Sequence, residues 1–231
     1  MNPHTTLFNA LTSQVGRKVL TGITGLLLAL FIVAHLVGNL QLLLTDPAPF
    51  NRYGAKLHSL GMLLYIVEIG LAIVILLHAH IGVTIALRKR KARRQGYAVY
   101  QSKGDPSRQT TASRTMIITG IVLLIFMVVH LVQFRFGPRI MAVVDGQEAH
   151  DLHLLVRQLF SNIWWVIAYS GVMVLLGFHL RHGIWSALQS LGAMKPRFSR
   201  SMFGIALLLG ILLAVGFLIL PIVIYLRGNV A

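Results

Sequence analysis

The chain contains no cysteine and few acidic residues. Without thiolates it cannot form a disulfide, and it cannot hold an iron–sulfur cluster or a structural zinc ion through cysteine ligands. Its 6 Asp and Glu are outnumbered by 21 Lys and Arg, which gives a formal net charge of +15. Only 12% of the residues are charged, whereas 56% are hydrophobic. This composition excludes a disordered segment or an ordinary soluble domain, and it is typical of a polytopic membrane protein.

Five apolar runs each provide the roughly 20 residues that a helix needs to cross a bilayer. Charge within them is limited to Glu68 in the second run and Arg181 near the end of the fourth. The alternating ten-residue segments of membrane β-barrels are missing from the sequence. We therefore predict an all-α membrane protein, a five-helix bundle forming a single membrane domain over residues 1–231, with spans at about 20–44, 60–87, 115–134, 163–188 and 202–226.

The basic residues are divided unequally between the two sets of loops. Fourteen lie before the first span, in the loop 88–114 or between the last two spans, whereas six lie in the remaining loops. The positive-inside rule therefore predicts a cytoplasmic N-terminus and an outer C-terminus. Topology explains this charge better than nucleic-acid binding does, and no nucleic-acid partner is expected. The basic run 88–94 also suits anionic membrane lipid or an acidic patch on a partner.

The loops on the opposite side contain three further signals. Residues 46–49 are typical of a turn. Residues 151–160 place leucine and valine at helical spacing, which predicts an extension of the fourth helix along the membrane interface. Arg52 and Tyr53 are interpreted as interfacial anchors.

One histidine lies in each of the first four apolar runs. A polar ring in hydrocarbon is costly without a partner, so four successive occurrences call for a common explanation. Iron ligation provides one, because two haems, each held between two imidazoles, would use four such side chains. The alternative is a set of histidines hydrogen-bonded between helices. The four residues are His35, His78, His130 and His179.

Depth in the membrane predicts how these histidines pair. At about 1.5 Å per residue, His35 and His130 lie roughly 25 Å from the cytoplasmic charges that flank their spans. His78 and His179 lie roughly 15 Å from the cytoplasmic ends of theirs. Two histidine pairs at different levels would suit two haems stacked across the membrane. We name them the 35–130 pair and the 78–179 pair.

Local sequence supports this pairing. His35 and His130 each follow a phenylalanine by four residues, and a Leu-Val dipeptide follows each of them. Gly82 and Gly183 each follow a histidine of the 78–179 pair by four residues, so they lie one turn along the same helix face and leave room for a flat macrocycle. The glycines at 22, 25 and 38 are expected to do the same in the first helix. Helices one–two and three–four thus resemble a weak internal repeat.

His80 and His182 are rival ligands in the second and fourth helices. They share no common glycine spacing, so they rank below the four histidines already named. His182 lies close to the inner surface and suits contact with a haem propionate. Arg17 has the same potential role, although its charge is also explained by topology.

The chain resembles the cytochrome b membrane-anchor subunit of succinate dehydrogenase or fumarate reductase, in the class with one anchor chain, five helices and two haems. The resemblance covers most of the first four helices, whereas the fifth matches only as an apolar span. The matching stretches are GRKVLTGITGLLLALFIVAHLVGNL, LLHAHIGVTIAL, FMVVHLVQFR and SNIWWVIAYSGVMVLLGFHLRHGIWSALQSLG.

The resemblance implies that the family's axial histidines fall on these four positions, with a proximal haem b at His78 and His179 and a distal haem b at His35 and His130. It implies a location in the prokaryotic plasma membrane and a cytoplasmic flavoprotein and iron–sulfur subunit as partners. The chain would be a non-flavin subunit of this tricarboxylic acid cycle enzyme, exchanging electrons with a quinone for which menaquinone is favoured. The sequence leaves higher oligomers open.

Glu68 and His58 are the candidates for the quinone site. Glu68 is expected near the outer end of the second span, and His58 is expected to begin the same helix. Quinone reduction and quinol oxidation need a proton donor or acceptor, and a carboxylate at membrane depth can provide one. The alternative is that Glu68 is a protonated residue that packs between helices.

The sequence is also compatible with two other functions. The chain could be the cytochrome b subunit of another quinone-linked complex, such as a formate dehydrogenase or a hydrogenase. It could also be a transporter that uses intramembrane histidines to pass protons or metal ions. A visible haem spectrum separates the cytochromes from the transporter, and a flavin-containing partner separates the two cytochromes.

Overall fold

The structure, a computed structural model, describes residues 3–92, 111–193 and 199–228. Within these ranges it is mostly helical and contains five helices that are long and apolar enough to cross a membrane, which confirms the predicted helical membrane bundle. The five candidate spans are Gln14–Leu43, Met62–Ala92, Thr111–Phe134, Ile163–Ser190 and Ser199–Gly228. The middle of the basic loop 88–114, together with Lys195 and Arg197, lies outside the described residues.

The helices and strands follow one another in a simple order along the chain. A 3-10 turn, Leu40–Leu43, continues from the first long helix. The elements are α1 (Pro3–Thr12), α2 (Gln14–Asn39), α3 (Ala48–His58), α4 (Met62–Ala92), α5 (Thr111–Phe134), β1 (Met141–Val144), β2 (Gln147–His150), α6 (Leu152–Phe160), α7 (Ile163–Ser190) and α8 (Ser199–Gly228).

The long helices extend beyond the apolar runs that predicted them. Helix α2 begins at Gln14, and its first turns contain Arg17 and Lys18. Its start is stabilised by Ser13, whose Oγ accepts a hydrogen bond from the Gly16 amide at 3.0 Å. Helix α4 likewise continues through the basic residues 88–91 to Ala92. Hydropathy marks the part of a helix suited to lipid, whereas capping and helix propensity decide where the helix ends.

Within the described residues three short helices, α1, α3 and α6, lie outside the spans, and a carboxylate stands at the start of two of them. At the predicted turn 46–49, the Asp46 carboxylate accepts a hydrogen bond from the Ala48 amide at 2.9 Å, and α3 begins there. Asp151 caps α6 in the same way, through the Leu154 amide at 2.9 Å. The prediction that residues 151–160 extend the fourth helix is wrong. Helix α6 ends at Phe160, and α7 begins at Ile163 after a turn at Asn162.

A two-stranded hairpin adds a small β element to the helical bundle. Strands β1 and β2 pair antiparallel, with Val144 opposite Gln147. Asp145 and Gly146 connect them with φ values of 51° and 79°. A two-residue turn with both residues left-handed matches the twist of the strands, and Asp-Gly is well suited to it. Arg52 of α3 binds Asp145 with two hydrogen bonds of 2.7 Å, so it joins α3 to the hairpin.

The chain forms two compact units, and each spanning helix contributes a segment to both of them. Unit one comprises the described parts of Met1–Leu30, Leu71–Ile121 and Phe178–Gly210. Unit two comprises the described parts of Phe31–Gly70, Val122–Gly177 and Ile211–Ala231.

Small residues allow close helix packing in unit one. A Cβ atom at Gly22 of α2 would lie 3.4 Å from the Cα atom of Ala187 in α7, so these two backbones approach closely. The residues buried in this unit include Ile81, Ala112, Leu180, Ile184 and Ala206. The 78–179 pair lies in unit one.

Larger side chains fill the core of unit two. The buried cluster combines residues from the loop after α2, from α3, from α6 and from the adjoining segments of α7 and α8. It therefore connects the short helices to the spanning ones. Its members are Leu42, Phe50, Val156, Phe160, Val166, Tyr169, Leu220 and Ile224. The 35–130 pair lies in unit two.

Candidate haem-binding histidine pairs

The structure brings His35 and His130 together in unit two. His35 lies on α2 and His130 on α5, with their ring centroids 5.9 Å apart and their planes at 87°. The two side chains therefore approach from different helices, nearly at right angles.

His78 and His179 meet in a similar way in unit one. His78 lies on α4 and His179 on α7, with ring centroids 6.4 Å apart and planes at 70°. In each pair the two rings therefore come from two different helices. Four spanning helices contribute one histidine each.

These separations fit a metal ion between the rings. Two imidazoles that bind one metal ion from opposite sides, at a metal–nitrogen distance of about 2 Å, place their centroids roughly 6 Å apart. Hydrogen-bonded imidazoles reach similar separations, so the spacing fits haem ligation without demanding it. Ligation by these four histidines stays a prediction.

The hydrogen bonds of the paired rings, within the described residues, use Nδ1. Thr24 Oγ1 lies 3.1 Å from Nδ1 of His78, and Thr119 Oγ1 lies 3.1 Å from Nδ1 of His179. In the other pair the Tyr169 hydroxyl lies 3.5 Å from Nδ1 of His130. Metal-bound histidines commonly bind through one ring nitrogen while the other is hydrogen-bonded. At His78 and His179 this arrangement leaves Nε2 for a metal ion.

Aromatic rings surround the 35–130 pair. Phe31 stacks on His35 at 5.5 Å and 16°, and Phe217 of α8 lies 5.8 Å from the same ring. Phe126 and Phe134 lie 5.6 and 5.0 Å from His130. The phenylalanine four residues before each histidine, noted in the sequence, thus contacts its ring.

Glycines surround the 78–179 pair in two different ways. A Cβ atom at Gly25 would lie 3.1 Å from Cε1 of His78, and one at Gly120 would lie 3.3 Å from Cε1 of His179. These two glycines let the imidazoles lie close to the neighbouring helices. Cβ atoms at Gly82 and Gly183 would meet nothing within 4 Å. The open space at these two positions fits a flat macrocycle beside the pair.

Two glycines of α2 do not leave such room, which corrects the expectation for the first helix. Gly22 packs against Ala187, and a Cβ atom at Gly38 would lie 2.6 Å from the Tyr53 ring. Both positions are occupied by protein. Tyr53 was expected to be an interfacial anchor, and here its ring packs against a helix backbone.

The rival histidines are placed differently from the paired ones. His80 is exposed, and its backbone carbonyl accepts a hydrogen bond from Thr84. His182 is partly buried, with its ring 6.0 Å from Trp185. Within the described residues, the ring contacts between histidines join 78 to 179 and 35 to 130.

Unit one also contains buried hydrogen-bond donors that lack a partner in the described part of the chain. These are Nη1 of Arg17, Nε of Arg181 and Nε1 of Trp185. A buried unsatisfied donor usually indicates an ion, a water molecule or a ligand. Haem propionates are carboxylates, so they fit these donors. Arg17 was predicted for this role from the sequence, whereas Trp185 was missed.

Glu68 of α4 binds Arg135, which follows α5. The guanidinium donates to both carboxylate oxygens, at 2.9 and 3.0 Å, and it also lies 5.7 Å from the centroid of the Tyr65 ring. The Glu68 hydrogen bond raises the pKa of Arg135. Sequence reasoning treated Arg135 only as a loop charge and missed this bidentate pair.

The expectation that His58 begins the helix of Glu68 is wrong, because His58 ends α3 and α4 begins at Met62. His58 still belongs to the same electrostatic neighbourhood. Partial burial lowers its pKa first, and the charges of Arg135, His150 and Arg139 act in the same direction. Glu68 opposes them. The structure therefore brings the two predicted quinone-site residues within range of each other's charge.

Within the described residues there is no group of three or more His, Asp or Glu side chains arranged to hold a metal ion. Comparisons of the chain with protein-family models, with curated proteins and with solved structures found no match.

Proposed function

We propose that the chain is the membrane anchor and di-haem cytochrome b subunit of a succinate:quinone oxidoreductase. It would pass electrons between a flavoprotein and iron–sulfur module and a membrane quinone, with menaquinone favoured. The observation that carries the proposal is the meeting of four histidines as two ring pairs, with centroid separations of 5.9 and 6.4 Å. The partner subunits and the quinone rest on the sequence resemblance.

The chain's own residues would hold and shield two redox centres. Haem b, when bound, would supply a one-electron redox centre. The four paired histidines would hold the two haem irons, and Gly82 and Gly183 leave space beside one pair. Arg17, Arg181 and Trp185 offer buried donors to propionates. The aromatic rings around the 35–130 pair exclude water from it.

The proposed orientation places the N-terminus in the cytoplasm and the C-terminus outside a prokaryotic plasma membrane. The division of fourteen basic residues against six supports it. In this orientation the 78–179 pair serves the haem nearer to the cytoplasmic subunits, and the 35–130 pair serves the haem farther from them. Electrons would then cross the bilayer from one pair to the other.

At the quinone, His58 is the better proton acceptor of the two candidates. Its lowered pKa keeps the imidazole neutral near pH 7, so it can accept a proton from a quinol. Glu68 is already bound to Arg135, yet its charge favours the imidazolium form of His58. Glu68 therefore favours proton uptake by His58, whereas Arg135 opposes it by charge and holds the Glu68 carboxylate in place.

Purification of the intact complex through a tag on this chain tests the assignment. We expect a flavin-containing subunit and an iron–sulfur subunit to co-purify, and succinate to reduce the haems. A haem-containing complex without flavin, or one reduced by formate or hydrogen instead of succinate, would overturn the choice of complex while leaving a cytochrome.

Substitution of His58 tests the proton-transfer role in that complex. His58→Ala should slow turnover with menaquinone or menaquinol about 100-fold, because a positioned acid or base contributes on that order. Asp145→Asn is a matched control, since Asp145 is an exposed titratable residue of the same unit. Both variants should keep the wild-type haem spectrum. Wild-type turnover in His58→Ala would contradict this role.

A further inference from the structure

Thr24 and Thr119 are two of the few buried polar side chains in the described residues, with exposed fractions of 5% and 2%. Thr24 lies on α2 and contacts His78 on α4, and Thr119 lies on α5 and contacts His179 on α7. Both hydroxyls thus contact a histidine of the 78–179 pair from a neighbouring helix.

The hydroxyl hydrogens of these threonines are directed to their own helices. Thr24 Oγ1 donates to the Leu20 carbonyl at 2.8 Å. Thr119 Oγ1 lies 3.2 and 3.1 Å from the carbonyls of Thr115 and Met116. Because a hydroxyl has one hydrogen, its oxygen is left to accept from the imidazole. This pattern favours the tautomer in which Nδ1 of each histidine carries the proton and Nε2 presents its lone pair.

A glycine follows each threonine, and it faces the same imidazole. Gly25 lies against His78 and Gly120 against His179, where Cβ atoms would approach Cε1 to 3.1 and 3.3 Å. The hydroxyl fixes one ring nitrogen, and the bare glycine backbone lets the ring edge lie against the helix. The two features together fix both the tautomer and the position of the ring.

The same arrangement occurs twice in the sequence. Thr24-Gly25 precedes His35 by eleven residues, and Thr119-Gly120 precedes His130 by eleven. Eleven residues make close to three helical turns, so the threonine and the histidine of each helix share a face. Helices α2 and α5 therefore each provide one ligand of the 35–130 pair and one support for the 78–179 pair.

We infer that Thr24 and Thr119 are positioning residues that hold His78 and His179 as Nε2 ligands and tune the haem between them. The inference rests on the proposed haem ligation and extends it to hydrogen-bond partners of the ligands. An acceptor on Nδ1–H makes an imidazole a stronger electron donor to its metal. Loss of this acceptor should raise the reduction potential of that haem and weaken its retention.

Redox titration of the purified holoprotein, followed by its visible spectrum, tests this role. Thr24→Val and Thr119→Val keep the side-chain shape and remove the hydroxyl. Each variant should raise the midpoint potential of one haem, and the affected haem should be the same in both variants. The protein should also retain that haem about tenfold less tightly. That haem should be the one lost in His78→Ala. Thr24→Ser and Thr119→Ser restore the hydroxyl and should return the potential toward the wild-type value.

Thr21→Val and Thr115→Val are the matched controls. Their hydroxyls donate to backbone carbonyls of their own helices, at 2.8 Å to Arg17 and 3.0 Å to Thr111. They should leave both potentials unchanged. If a valine variant does not accumulate, the alanine variant at the same position removes the hydroxyl with less bulk, and the same shift is expected.

The possible results separate the inference from the function beneath it. Unchanged potentials in Thr24→Val and Thr119→Val, or equal shifts of both haems, would overturn the positioning role while the protein remained a di-haem cytochrome. A wild-type protein without haem would instead overturn the proposed function itself.

Discussion

The two histidine pairs have nearly the same spacing and very different surroundings. The 78–179 rings are hydrogen-bonded by threonine hydroxyls at 3.1 Å and lie against glycines. The 35–130 rings lie among phenylalanines and a tyrosine, with weaker contacts at Nδ1. Ligand type alone would make two such haems alike. Hydrogen bonding and packing differ, and these are among the factors that tune a haem of fixed ligation.

The hydrogen bonds also differ in direction. At His35 the polar atom near Nδ1 is the Asn39 amide nitrogen, at 3.4 Å, and this amide donates to the His35 carbonyl at 2.7 Å. An amide nitrogen offers no acceptor for Nδ1–H. Acceptors at Nδ1 therefore specify the tautomer of the rings in the 78–179 pair more clearly than in the 35–130 pair. We expect the haem of the 78–179 pair to have the lower reduction potential of the two.

Alanine substitution of a paired histidine should have the largest effect, because it removes a proposed haem ligand. His78→Ala or His179→Ala should remove one haem and leave the other, and His35→Ala or His130→Ala should remove the second. Haem content per chain, measured as the pyridine haemochrome, should fall by about half in each variant because two equivalent ligand sets are present.

The rival histidines provide the control for that series. His80→Ala and His182→Ala should keep both haems, since neither ring faces another histidine in the described structure. Loss of haem on changing His80 or His182, with none on changing His78 or His179, would reverse the ligand assignment.

Filling the open space beside the 78–179 pair should have the next largest effect. Gly82→Ala or Gly183→Ala adds a methyl group where the protein leaves room. Alanine stabilises a helix relative to glycine by about 1 kcal/mol, so the helices themselves should tolerate the change. We expect reduced occupancy of this haem alone, measured by redox-resolved spectra.

Gly70→Ala is the control, because Gly70 is a glycine of the same helix with nothing within 4 Å of its Cβ position. It should leave both haems at full occupancy. Equal occupancy in Gly82→Ala and Gly70→Ala would mean that the space beside the pair is not used by a cofactor.

A smaller effect is expected at Tyr169, which is specific to the 35–130 pair. Its hydroxyl donates to Gln133 at 2.5 Å, and its oxygen lies 3.5 Å from Nδ1 of His130. Tyr169→Phe should raise the potential of this haem by less than Thr24→Val raises the other, because the contact is longer. Redox titration measures both, and Tyr225→Phe is a control in the same core. A larger shift of midpoint potential in Tyr169→Phe than in Thr24→Val would show that the 35–130 pair depends more on its hydrogen bond than the 78–179 pair does.

The smallest effect is expected at the exposed Arg52–Asp145 pair. The Arg52 hydrogen bond lowers the pKa of Asp145 in the folded protein. The stability that this hydrogen bond contributes is therefore complete above the Asp145 pKa of the unfolded chain, and it is lost as pH falls through the Asp145 pKa of the folded protein. Arg52→Gln should return the Asp145 pKa toward its ordinary value, as followed by carboxyl NMR. Both haem potentials should stay unchanged, and a shift would show that the hairpin influences the pairs.

The sequence predicted the spans and the histidine pairing well, because long uncharged runs and distance from flanking charges are strong signals. It gave only a weak signal for Thr24 and Thr119. A threonine inside a membrane helix usually bonds its own backbone, and the histidines it contacts lie 54 and 60 residues away. The repeated Thr-Gly dipeptide, eleven residues before a histidine in two helices, was the available clue.

The structures outside the spans were harder to predict. The Asp-Gly turn at 145–146 is a recognisable hairpin signal, but four-residue strands give little alternation to read. Helix α3 was hidden because Asp46 and Pro49 suggested a turn and also start a helix. The Glu68–Arg135 pair joins residues 67 positions apart, and only the packed helices bring them together.

The most direct test of the account is the visible spectrum of the purified wild-type chain before and after reduction with dithionite. The account predicts sharp b-type bands from two haems per chain, which titrate with two different midpoint potentials. A colourless protein would contradict it and favour a histidine-containing transporter.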